Sequence, residues 1–277
     1  YALSEEFKIN NSNSFEFIKK LENELSDFEN IIVKKNFSII GIHDHSYLIG
    51  SENMEQMERN GQSSVRQRLW RIRAKHVILA TGAIERPLVF AGNDIPGVML
   101  CSAALEFYKL YGVSPGDRVV VLTNNDSAYS SVIELFNAGI SVPLVIDVRE
   151  KSDGNLPLKA KKLGIRVEFN KAISKVIGKK KVKAVELCSV VGEGAVLETI
   201  ICDSVLMSGG WTSTLNLWSH CGGKIKWDTK LNTLVPDESF PSINEFGRSF
   251  ITVLGSADGK FWPSDLFANI EKKLNIL

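Results

Sequence analysis

The segment VVVLTNNDSAYSSVIELFNAGISVPLVID, residues 119–147, decides how the chain is read. It opens on a continuous apolar run, 119–122, the pattern of a buried strand. A polar loop follows, Thr123-Asn124-Asn125-Asp126, and then a helical stretch, 127–138, with Gly139 placed as its C-terminal cap. A second apolar run, 141–147, ends in Asp147. Strand, loop, helix and strand make a βαβ unit. The loop of such a unit presents backbone N–H groups at a helix N-terminus, where a pyrophosphate sits on the positive end of the dipole. The usual fingerprint is G-x-G-x-x-G/A. Here Thr123, Asn125 and Ala128 hold the glycine positions, and only Ala128 is an ordinary substitute. On this loop alone, a dinucleotide cradle and a plain parallel-sheet crossover stand level.

Asp147 favours the cradle. It lies where the ribose-binding acid of a dinucleotide site stands, accepting both ribose hydroxyls and repelling a 2′-phosphate. The alternative is a strand-end acid that caps the next turn. Arg149, just beyond, is of the type that accommodates a 2′-phosphate; the acid is weighed above it.

Upstream, residues 13–28 read as an amphipathic helix, with Phe15, Ile18, Leu21, Leu25 and Phe28 at helical spacing and Asn13 and Glu16 resembling a capping box. Strands are expected at 31–34, 37–42, 68–74 and 76–80, with a loop over 50–66. The run Val77-Ile78-Leu79-Ala80-Thr81-Gly82-Ala83 is a buried strand closed by a glycine, which lets the chain pass close to a cofactor or a neighbouring backbone. Residues 85–98, with Pro87, Gly92, Pro96 and Gly97, read as a crossing between domains. Downstream come helices at 102–111 and 156–163, a strand at 166–170 and a hairpin of 172–177 with 182–187. A buried strand at 205–207 runs into Ser208-Gly209-Gly210-Trp211. Residues 212–250 read as irregular. A last strand, 249–254, leads into Gly255-Ser256 and a closing helix.

The 277 residues suit one large or two medium domains. A net charge of +1 gives no support for a nucleic-acid partner or an anionic membrane, and no apolar run is long enough for a membrane helix. The four cysteines are scattered with no C-x-x-C spacing, which fits a reduced, cytoplasmic protein and argues against a redox dithiol or a zinc knuckle. His43-Asp44-His45 has no further ligand cluster and reads as a solvated loop; Lys179–Lys181 reads as a hairpin turn and Cys221 as a small hydrophobe. No nucleophile or metal site is expected.

The runs RLWRIRAKHVILATGAIERPLVFAGNDIPGVML (68–100), VVVLTNNDSAYSS (119–131) and MSGGWTSTLNLWSHCGGKIKWD (207–228) closely resemble the alpha subunits of heterotetrameric sarcosine oxidases. The T-N-N-D-S-A loop looks typical of that family. The resemblance implies an α/β protein of two Rossmann-like domains of the pyridine nucleotide-disulfide oxidoreductase type. An NAD-binding domain at 99–206 would be inserted in an incomplete FAD-binding domain, with its first part at 1–98 and its return at 207–277. Residue by residue, Thr123, Asn124, Asn125, Asp126, Ser127 and Ala128 would cradle the NAD pyrophosphate, with Asp147 on the ribose. Thr81, Gly82, Gly255 and Ser256 would meet FAD, Ser256 departing from the usual aspartate. Gly209, Gly210 and Trp211 match a family motif or serve as a hinge. The first glycine-rich FAD unit is expected before Tyr1, and a folate-binding half beyond Leu277. The family also implies other subunits of a hetero-oligomeric oxidase, a small amine oxidised at an FMN shared with a second type of subunit, and peroxide as a product. The alternatives are a subunit of another amine, opine or proline dehydrogenase of this fold, and a noncatalytic nucleotide-binding scaffold.

Overall fold

The computed structural model describes residues 8–9, 12–54, 66–244 and 246–274. The chain divides into two compact units: residues 1–21 with 85–211, and residues 22–84 with 212–277.

In the first unit, β1 (Val98–Leu100) runs into α1 (Cys101–Tyr111), β2 (Arg118–Thr123), α2 (Ser127–Asn137), β3 (Ser141–Asp147), α3 (Asn155–Lys162) and β4 (Val167–Phe169). Then come β5 (Lys171–Gly178), β6 (Val182–Ser189), β7 (Glu198–Ile201) and β8 (Ser204–Ser208). The order β4-β3-β2-β8-β1 forms one sheet, parallel throughout, and β5-β6-β7 form an antiparallel sheet. The parallel strands are apolar on both faces because both are covered. Val119, Val121, Val145 and Leu206 pack against α1 and α2 through Leu105, Ala128, Tyr129 and Val132. Val120, Leu122, Leu144 and Ile146 face the antiparallel sheet through Val176, Val185 and Leu187. Burying each such side chain contributes roughly 1.5–3 kcal/mol.

Residues 85–98, expected as a crossing, belong to this unit. Phe90 is buried in its core, and Val176 N donates to Ala91 O (2.8 Å). The prolines and glycines there shape a segment laid on the sheet, not a linker.

In the second unit, Phe37–His43, Tyr47–Asn53 and Gln67–Arg73 make an antiparallel sheet in chain order. Val77–Leu79 pairs in parallel with Ile251–Val253, and Ile225–Asp228 forms a hairpin with Thr233–Pro236. Ile42, Leu79, Trp218, Phe250, Ile251 and Val253 are its core.

Several local expectations are corrected. Ile31–Val33 form no strand and lie exposed, so propensity found no partner strand. Of the loop expected over 50–66, residues 50–53 belong to a strand, and 55–65 lie outside the described residues. The stretch read as irregular holds the short helix Asn216–His220 and the hairpin just named. The helix near the N-terminus spans Ser14–Ser26, with Ile18, Leu21 and Leu25 about two-fifths exposed. Among the described residues no helix is long and apolar enough to cross a membrane.

Candidate functional site

The ends of β2, β3 and β8 meet at the C-terminal edge of the parallel sheet. From β2 the chain builds outward through β3 and β4, then returns to place β8 on the other flank of β2. Strand order reverses there, and in open α/β sheets that crevice is where ligands bind. The loop 124–126 sits at this point, between β2 and α2.

Its residues are tied down by one another. Thr123 is wholly buried, and its Oγ1 donates to Asn125 O (3.0 Å) and accepts from Asn125 N (3.1 Å). Asn125, at the second glycine position, folds its amide back. Nδ2 donates to Ser208 O (3.2 Å) and Oγ (3.0 Å), while Oδ1 accepts from Ser127 N (3.1 Å) and Oγ (2.5 Å). Asn124 N donates to Ser208 O (3.3 Å), and its Nδ2 donates to Gly209 O (3.3 Å). The Trp211 indole donates to Ser127 Oγ (2.9 Å). Ala128 is buried in the core on the helix side, where a third glycine or alanine lets helix and strand approach.

The expected loop residues and Asp147 are thus brought to one edge. The Asp147 side chain is fully buried and bonded within the protein. Oδ2 accepts from Tyr129 OH (2.8 Å) and Arg149 Nη2 (2.7 Å); Oδ1 accepts from Arg149 Nε (2.9 Å) and the Arg149 backbone N–H (3.1 Å). A carboxylate has about four lone-pair sites, and neighbouring donors fill them. Burial, then the Asp147 charge, pushes the Tyr129 phenol far above its ordinary range. Burial works against the charge of Arg149, but its bonds to Asp147 and Asp126 prevail and raise its pKa. Arg149 Nη2 also reaches Asp126 Oδ1 (2.7 Å), which accepts from Ser152 Oγ (3.0 Å) as well. Tyr129, Ser152 and Ser208 were not singled out from the sequence. Ser208 did carry a signal, as a polar residue closing an apolar strand.

In the second unit, the strand pair Val77–Leu79 and Ile251–Val253 carries Thr81-Gly82 and Gly255-Ser256 just past its C-terminal ends. Gly82 and Gly255 have φ of 73° and 71°, which favours glycine. A Cβ on Gly82 would meet no atom within 4 Å, so the space beside it is open. Thr81 Oγ1 donates to Thr214 O (2.6 Å), and Ser256 O accepts from Ser213 Oγ (2.9 Å).

Other candidates are placed plainly. His43, Asp44 and His45 are exposed, and the His43 ring lies 5.0 Å from that of His220. Among the described residues no group of three or more His, Cys, Asp or Glu is arranged to hold a metal. All four cysteines are free; burial, then the Asp203 charge, pushes the Cys202 thiol up to about 12.

No family model matches the chain. It is 32% identical over 251 residues to the sarcosine oxidase alpha subunit of Rhizobium meliloti (strain 1021), covering 90% of this chain and 24% of that protein. It is 34% identical over 224 residues to the sarcosine oxidase alpha subunit of Corynebacterium sp. (strain P-1), covering 77% of this chain and 22% of that one. An opine oxidase subunit of Agrobacterium tumefaciens (strain Ach5) is 25% identical over 177 residues, 58% of this chain and 35% of its own. Among solved structures, T. acidophilum thioredoxin reductase aligns with a TM-score of 0.63 at 17% identity, over 97% of this chain and 85% of that one. L-proline dehydrogenase from P. horikoshii aligns with a TM-score of 0.58 at 22% identity, over 97% and 46%. These likenesses show an α/β, Rossmann-like fold shared with those two structures. The chain spans about a quarter of the length of the alpha subunits it matches, and over most of its own length it is similar to them.

Proposed function

We propose that this chain is the FAD- and NAD-binding, electron-transferring part of a flavin-dependent amine oxidoreductase that oxidatively demethylates sarcosine in its complete assembly. The observation that carries the reading is the match to sarcosine oxidase alpha subunits over 90% of the chain. The two C-terminal strand edges, one in each unit, support it. In the second unit Thr81, Gly82, Gly255 and Ser256 would hold FAD. In the first, residues 123–128 would hold the NAD pyrophosphate on the N-terminus of α2. Bound there, the flavin and the nicotinamide would supply the redox chemistry. The chain's own work is to bind and orient them. FMN, other subunits of a hetero-oligomer and the amine-binding pocket belong to the complete assembly, which we place in the cytoplasm.

The test uses the full-length subunit with its partner subunits. A flavin spectrum at about one FAD per full-length chain, with sarcosine-dependent peroxide release, is the expected result. Activity on an opine or proline with none on sarcosine would replace the substrate and leave the fold reading intact. The internally bonded loop of the first unit favours a second reading, a noncatalytic nucleotide-binding scaffold. A colourless full-length chain in an active complex would select it.

A further inference from the structure

The bonding around Asp147 leaves open which group governs the ribose end of the first unit's crevice. Asp147 is spent on Arg149 and Tyr129 and does not reach the surface. The groups that do are Arg149 and Asp126, with side chains 29% and 28% exposed and Nη2 and Oδ1 2.7 Å apart. Asp126 is held in that place. Ser152 Oγ donates to it at 3.0 Å, and it packs so closely on Gly154 that a Cβ there would fall 2.0 Å from Oδ2. Two carboxylates face one guanidinium, a net charge of −1. The exposed neighbours Glu150, Lys151 and Asp153 add a further excess of one acid.

An arginine beside the ribose ordinarily accommodates a 2′-phosphate. Here Asp147 takes Nε and shares Nη2 with Asp126, each carboxylate oxygen lying 2.7 Å from Nη2. We propose that Asp126 is the specificity-determining residue of the dinucleotide site, excluding the 2′-phosphate by charge and by occupying Arg149, while Asp147 positions Arg149 from below. The inference rests on the dinucleotide reading of this unit. It moves the discriminating charge from the strand end to the loop, because of the two carboxylates on Arg149 only Asp126 is exposed. Neutralising Asp126 removes the repulsion and frees one face of a guanidinium already fixed for a bidentate contact.

The experiment is calorimetric titration of NAD and of NADP into the full-length subunit. The variants are Asp126→Asn, Asp126→Ser as a second substitution at that position, Arg149→Gln, and the double variant Asp126→Asn with Arg149→Gln. Wild type is expected to bind NAD more tightly than NADP. Both Asp126 variants should move the ratio of affinities toward NADP by about tenfold or more, the scale of one charged contact. Adding Arg149→Gln should cancel the move. An unchanged ratio in folded Asp126 variants, or a wild type indifferent to the two nucleotides, overturns the assignment while leaving dinucleotide binding in place. Binding of neither nucleotide by any of the proteins overturns the dinucleotide reading itself, and this inference with it.

Discussion

At the scale of single residues, the buried Tyr129–Asp147–Arg149 group is a stability element before it is a recognition element. Tyr129→Phe removes the donor to Asp147 Oδ2 (2.8 Å) and leaves a buried carboxylate short of one bond. A loss of about 1–3 kcal/mol is expected in thermal or urea unfolding. An unchanged midpoint would mean that water replaces the phenol. The same group gives a pH dependence. The folded Tyr129 phenol is held well above its unfolded value by burial and by Asp147. Its contribution to stability is therefore complete below about pH 10, the unfolded tyrosine value, and is lost as pH rises further. Urea unfolding between about pH 9 and 11 should show a decline that Tyr129→Phe flattens; parallel declines in both proteins would assign the effect to other groups. The sequence placed Asp147 at the end of a strand and Arg149 just beyond it. It could not say that the two side chains would turn toward each other, because the phenol that completes the set comes from α2.

At the scale of elements, the contact of α2 with β2 and the return from β8 are the places where side-chain volume is critical. Ala128 is 1% exposed in the core between helix and sheet. Ala128→Leu should keep the chain folded at a cost of about 1–3 kcal/mol from overpacking. It should also abolish NAD binding by shifting the N-terminus of α2; normal NAD affinity would show that the loop does not cradle the pyrophosphate. Gly209 is a second such point. A Cβ there would come 2.8 Å from Pro87 O and 3.0 Å from Arg86 O, backbone atoms with little freedom to withdraw. Gly209→Ala should lower the unfolding midpoint, and a neutral result would mean that residues 86–87 move aside. The elements from β2 to β6 are legible in the sequence, since the runs of β2 and β3 are apolar and buried on both faces and each element is punctuated by a turn or cap. The hairpin of Ile225–Asp228 with Thr233–Pro236 is not, because its strands are short and the first is largely exposed.

At the scale of the whole molecule, the chain matches about a quarter of each related alpha subunit, and no G-x-G-x-x-G occurs in its sequence. The FAD pyrophosphate ordinarily rests on such a turn at a helix N-terminus. The 277-residue chain expressed by itself should therefore be colourless and release no peroxide with sarcosine, while retaining weak NAD binding in the first unit. A flavin spectrum near one FAD per chain would show that the strand edge with Gly82 and Gly255 holds the cofactor unaided.

The sequence by itself determined the βαβ unit, its parallel strands and the class of protein to which they belong. Apolar runs of strand length, a helical period and a polar loop between them are local properties, and each reports its own burial. Only the tertiary structure decided which of the candidate site's groups are buried and bonded to one another and which stay exposed. Thr123, Asn125 and Asp147 look like ligand contacts in the chain. Yet Thr123 and Asn125 bond each other, Asn125 also engages Ser208 and Ser127, and Asp147 engages Arg149 and Tyr129. The carboxylate left at the surface is Asp126. Hydrogen-bond donors and acceptors pair by distance in space, and residues 127, 129, 149 and 208 come together only after the sheet has brought three strand ends to one edge.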